Sequence, residues 1–242
     1  MIKATRFHHE YLKQINRVNT AFNKTVDVAT RDSYFNHGME VVLENFFAIS
    51  EINTTVRNHL RLLEKKKVKF KLFKETEGYC IYKYPSDFYK LLRQTAIMCT
   101  DTCTEPREIL VRTIQSDDIA ESIKDPYWEP SFEWEETFGD EGAEGYYVYK
   151  KKEHKIKELI VDYMRKPGDI AAPSLLDCEP ACYVNAGGES ICSDKDFEID
   201  STFLWRKIVD VAVLYTLRDF GQLDDFDGKM REILFVDKLY LK

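Results

Sequence analysis

The stretch Lys67-Val68-Lys69-Phe70-Lys71-Leu72 decides how this chain is read. Charged and apolar residues alternate one for one. Successive side chains of an extended backbone point to opposite faces, so the pattern predicts a β-strand with its lysines on one side. N-terminal to it the period is that of a helix. Phe7, Tyr11, Ile15, Val18 and Phe22 recur at three- and four-residue steps. Phe35, Met39, Val42, Phe46 and Ile49 predict a second helix with Thr30 or Asp32 as its N-cap, and Val56, Leu60 and Leu63 a third after Asn53. The change of period near Lys67 makes the fold class α+β: an N-terminal helical layer over 1–66, then a β-rich part over 67–170.

Working toward the C-terminus, a turn at Glu77-Gly78 leads to a strand over Tyr79 to Tyr84. Pro85-Ser86-Asp87 then predicts the start of a helix carrying Phe88, Leu91 and Leu92. Strands are expected at Glu108 to Thr113, Tyr146 to Lys150 and Lys155 to Met164, and a short helix near Ser116 to Ile123, which makes the centre a mixed or antiparallel β region. Residues 125–145 read as an exposed loop insertion, because Glu129, Glu133, Glu135, Glu136, Asp140, Glu141 and Glu144 meet no Lys or Arg there and glycines interrupt the run. Residues 171–200 read as an irregular loop. From Ser201 to Phe220 apolar residues cover most of a helix circumference, and Gly221 supplies a C-terminal stop. The expectation is a long apolar C-terminal helix within a helical part 201–242, followed by one more short helix. The whole, 1–242, is expected to form a single structural domain.

Composition bounds the function. A chain that is 44% hydrophobic and 13% aromatic has the material for a packed core. A net charge of −7 argues against gripping nucleic acid, which needs clustered Lys and Arg. No stretch reads as a signal peptide, and none reaches the run of about 18 apolar residues that a membrane span requires. Six cysteines in a chain of this length are too sparse for a disulfide scaffold and are expected to be free thiols.

Candidate chemistry is thin. Cys178, Cys182 and Cys192 offer three thiolates for a zinc ion, but their spacing is not that of the common zinc loops. His8, His9 and Glu10, with His37 and Glu40, lack the two histidines four apart around a glutamate of a metalloprotease helix, and are expected on solvated helix faces or at an interface. Gly187-Gly188 has no strand before it and no helix after it, so it is a turn and not a phosphate cradle. The basic cluster Lys65, Lys66, Lys67, Lys69 and Lys71 is expected on a solvated strand face, its lysines protecting a sheet edge; a phosphate or the acidic 129–144 stretch of a neighbouring copy are the alternatives. Neither an enzyme nor a bound cofactor is expected. The residues singled out for subunit contacts are Trp128, Phe132, Trp134 and Phe138, aromatic among acids, together with Phe203 and Trp205 on the apolar helix; packing within the same subunit is the alternative for both groups.

Three short segments resemble the ring-forming neck and tail structural proteins of crAss-like, podovirus-shaped bacteriophages. They are Tyr84-Pro85-Ser86-Asp87-Phe88-Tyr89-Lys90-Leu91-Leu92, then Tyr163-Met164-Arg165-Lys166-Pro167-Gly168-Asp169-Ile170, and Phe197-Glu198-Ile199-Asp200 leading into Ile208-Val209-Asp210-Val211-Ala212-Val213. The resemblance implies a virion structural protein without chemistry of its own. It would form a homo-oligomeric, twelve-fold ring between portal and tail, assembled in the host cytoplasm, with portal and other neck or tail proteins as neighbours. DNA would pass through its channel without specific binding, and no membrane would be involved. The expectation from another class is a non-virion protein-binding module acting through the aromatic acidic loop, and a zinc-stabilised protein is a third.

Overall fold

In a computed structural model, residues 1–18, 25–50, 54–100, 105–125, 129–177, 181–185 and 187–240 are described. The elements run α1 (Ala4–Val18), α2 (Val28–Ser50), α3 (Thr54–Leu60), β1 (Glu64–Glu75), β2 (Tyr79–Lys83), β3 (Phe88–Thr100) and β4 (Arg107–Thr113). They continue with α4 (Ile119–Ser122), β5 (Glu136–Gly142), β6 (Gly145–Tyr149), β7 (His154–Arg165), β8 (Tyr183–Val184), β9 (Ser190–Ile191), α5 (Thr202–Asp219) and α6 (Leu223–Tyr240). The chain divides into two compact units, Leu63–Lys166 and a helical unit made of Met1–Leu62 with Pro167–Lys242. The α+β class and the N-terminal helices are as the periodicities predict; the boundary falls a few residues before the change of period.

In the helical unit, the stripe Phe7, Tyr11 and Ile15 is buried, as are Phe35, Met39, Val42 and Phe46 of α2. Phe7 lies at its centre, with edge-to-face ring contacts to Phe35, Phe197 and Trp205 at 5.6, 5.6 and 5.8 Å. The N-cap of α2 is Asp27, whose carboxylate accepts from the Thr30 backbone N–H at 2.7 Å, and neither Thr30 nor Asp32 takes that role. Gly38 brings α2 against α5: a Cβ there would stand 3.1 Å from the Ile208 carbonyl oxygen. The expected long apolar C-terminal helix is corrected on two counts. α5 buries ten side chains around most of its circumference but also carries Arg206, Lys207, Asp210, Arg218 and Asp219, so it is not apolar throughout, and α6, equally long at 18 residues, follows it. Among the described residues no helix is long and apolar enough to cross a membrane.

Seven strands close a barrel in the order β1-β2-β6-β5-β4-β3-β7. Every neighbouring pair is antiparallel except β4 with β5, which are parallel and need the crossover that α4 and its preceding 3₁₀ turn supply. Phe70, Tyr82, Met98, Ile109, Tyr146, Val148, Leu159, Val161 and Tyr163 fill the core cluster. β1 therefore has a neighbour on each side and is not an edge. Its lysines also do not form one clean face: Lys67 sits at φ 55° in a bulge, its N–H donated to Asp162, and a second irregularity leaves Leu72 and Phe73 half exposed.

Two expectations fail in this unit. Phe88 to Leu92 is strand, not helix: Pro85 to Phe88 makes a tight turn, with Phe88 N–H donating to the Pro85 oxygen at 3.0 Å, and β3 then pairs with β7 from Phe88↔Arg165 to Thr100↔His154. Spacing of apolar residues at 88, 91 and 92 suits a helix locally, but the long ladder with β7 overrides it. The acidic stretch is not a loop throughout either, since residues 136–142 are β5 and Phe132 and Phe138 are buried.

Candidate functional site: buried anchors and exposed contact faces

The first two segments of the resemblance meet at Asp87. Its carboxylate accepts from the Tyr163 hydroxyl at 2.9 Å and from Lys65 Nζ at 2.5 Å, while its carbonyl accepts from Lys166 N–H at 2.7 Å. Tyr84 stacks on Phe88 with centroids 4.4 Å apart, and Phe88 and Phe70 both touch the Tyr163 ring. The Lys65 hydrogen bond above all, with Tyr163 adding to it, holds the Asp87 carboxyl below its ordinary pKa. This constellation is an anchor between two strands and a turn: its acid is already coordinated on both oxygens, which leaves it poorly suited to proton transfer.

A second anchor lies in the helical unit. Asp32, buried on α2, accepts from His8 Nε2 at 2.7 Å on one oxygen and from Ala172 N–H at 3.0 Å and the Tyr183 hydroxyl at 2.6 Å on the other. Burial foremost, and then the Asp32 carboxylate, push the Tyr183 phenol well above its usual pKa. Beside it a cleft of about 470 Å³ runs between α2 (Ser33, Asn36, His37) and the β8–β9 hairpin (Tyr183, Asn185, Ile191). His8 is thus not on a solvated face. One signal for this was present: His8 stands three residues before Tyr11 and seven before Ile15, on the buried side of α1. His37 is exposed, 4.0 Å from Glu40.

The cysteine loop is also different from the expectation. Cys182 and Cys192 form a disulfide that closes the β8–β9 hairpin, whose turn is Gly187-Gly188 with Gly188 at φ +81°. Two of the three thiols considered for zinc are therefore used up, and Cys178 lies outside the described residues. Cys80 and Cys99 are free and buried. Among the described residues no group of three or more His, Cys, Asp or Glu is placed to hold a metal ion.

The six aromatic contact candidates divide. Phe132, Phe138 and Trp205 are buried within their own units, Phe203 is half-buried against Phe46, and Trp128 lies outside the described residues. Trp134 is 61% exposed. Sequence reasoning missed Leu72 and Phe73 of β1, exposed by 49% and 51%, because alternation placed Leu72 in the core.

Fold and site together define an α+β protein in which a helical unit accompanies a closed β-barrel. No protein-family model matches the sequence, and no curated protein matches it.

Proposed function

We propose that this chain is a virion structural protein, a subunit of an oligomeric ring or adaptor at the portal–tail junction or upper tail of a phage. The observation that carries the reading is the Asp87 anchor. The two resembling segments are 76 residues apart at Asp87 and Tyr163, yet they are folded onto each other and join through hydrogen bonds whose evident work is mechanical. A net charge of −7 suits a channel that lets DNA slide. A ring of identical copies also needs two unlike surfaces on each, and the exposed aromatic and charged residues of the barrel offer candidates.

Cryo-electron microscopy of the parent particles tests the proposal. Closed, twelve-fold density for this chain on the portal–tail axis is the expected result, and particles that lack the chain would overturn it. The exposure of Trp134 favours a second reading, a non-virion binding module acting through the acidic aromatic segment. In that case deletion of residues 129–135 abolishes partner capture while the chain is missing from particles.

A further inference from the structure

The barrel carries a recess that neither anchor uses. It lies where β4 ends and β5 begins, has a volume of about 260 Å³, and is walled on its apolar side by Ile114, Trp134 and Phe138. Phe138 is buried, whereas Trp134 is 61% exposed. The indole sits on a closed turn. Ser131 and Glu136 exchange both backbone hydrogen bonds, at 2.9 and 3.2 Å, the Trp134 N–H donates to the Ser131 hydroxyl at 3.3 Å, and Glu135 takes φ 55° to complete the reversal. The chain thus spends strain and hydrogen bonds on presenting a large aromatic side chain to solvent at the wall of a cavity.

The charges in the wall are already matched. Glu129 pairs with Lys151 at 2.8 Å, and Glu136 pairs with Arg112, itself a lining residue. A ligand with a net charge finds no unanswered partner there. Hydrogen-bonding capacity remains, however. Each carboxylate gives one oxygen to its cation, and its second oxygen has no protein partner among the described residues; nor has the Ser122 hydroxyl on the same wall.

Size and polarity together narrow the occupant. An apolar void of roughly 150 Å³ takes up a benzene ring, so this cavity holds one six-membered ring with its substituents and little more. A bare arene would strip water from the carboxylate oxygens and return no hydrogen bond, which is costly. A pyranose returns them, because each hydroxyl on its rim both donates and accepts. The C–H bonds on one face of the same ring suit the electron-rich face of an indole.

We infer that this recess is a binding site for a neutral saccharide: one pyranose ring packs on Trp134, and neighbouring hydroxyls donate to Glu136 and Glu129. A pocket of apolar wall with a few fixed polar groups is the ordinary form of a small-ligand site. The site goes beyond the ring reading and does not depend on it.

Saturation-transfer NMR and calorimetric titration of the full chain test the site, with the methyl pyranosides of glucose, galactose and mannose as probes and with phenol, glucuronate and glucosamine for comparison. At least one methyl pyranoside is expected to bind with a Kd in the millimolar range, the strength that one ring and a few hydrogen bonds supply, and its charged analogues no more tightly. Trp134→Ala should weaken that binding by roughly tenfold or more, whereas Trp134→Phe, which keeps an aromatic face, should recover most of it. Glu136→Leu should also weaken it, by roughly tenfold, through loss of the acceptor. If circular dichroism finds Glu136→Leu unfolded, Glu129→Leu takes its place. Failure of all three pyranosides to saturate the chain overturns the inference. Tighter binding of phenol than of any pyranoside, tighter binding of a charged sugar, or pyranoside binding that Trp134→Ala leaves unchanged overturns it equally.

Discussion

Asp32 was legible in the sequence only as a possible cap, and the reason is general. A carboxylate on a helix looks the same to its chain neighbours whether it faces water or three donors, and one of those donors, the Ala172 N–H, is 140 residues away. Removing the acid strands buried partners: Asp32→Ala leaves His8, Tyr183 and an amide without their acceptor, and is expected to cost about 3–5 kcal/mol in urea unfolding. His154 carries the pH prediction. Burial above all lowers its pKa, with Lys151 and Lys150 adding to the effect against the opposing pull of Glu153. The folded state then binds fewer protons than the unfolded one, so stability rises with pH. It is complete above the unfolded histidine value of about 6.5 and declines as pH falls below that toward the lower folded value. His154→Phe should flatten this part of the stability curve, and an unchanged slope would show that another group governs it.

At the scale of elements, periods of 3.6 and 2 placed α1 to α3, β1, β2, β4, β6 and β7 near their observed positions, since both periods are set by neighbours along the chain. They misled where pairing partners decide. Pro85 to Leu92 carries proline, a capping aspartate and helix-spaced apolar residues, yet it turns into the longest strand because β7 offers a full-length ladder. The turn between β5 and β6 was legible as a glycine-rich break but not as a steric requirement. Gly145 has φ +148°, and a Cβ on it would stand 2.2 Å from the Tyr82 carbonyl oxygen. Gly145→Ala therefore combines strain with a backbone clash, and should lower barrel stability by at least about 2 kcal/mol in thermal or chemical unfolding. A neutral substitution would mean that β2 and β6 approach less closely than described.

For the whole molecule, the barrel is one uninterrupted stretch, Leu63–Lys166, whereas the helical unit is assembled from two. Residues 63–166 expressed alone should fold and unfold cooperatively, monitored by circular dichroism. Residues 1–62 alone should not, because Phe7 would lack its ring contacts to Phe197 and Trp205. A barrel fragment that remains unfolded would show that its core does not suffice without the rest of the chain. The sequence by itself determined the α+β class, the N-terminal helices and the positions of most strands, because each depends on side chains a few residues apart. Closure of the sheet, the exposure of Phe73, the disulfide of the β8–β9 hairpin and the burial of His8 with Asp32 were decided by the tertiary structure alone. The physical reason is that contacts between distant segments, not local spacing, choose which side chains lose water and which polar groups they find there.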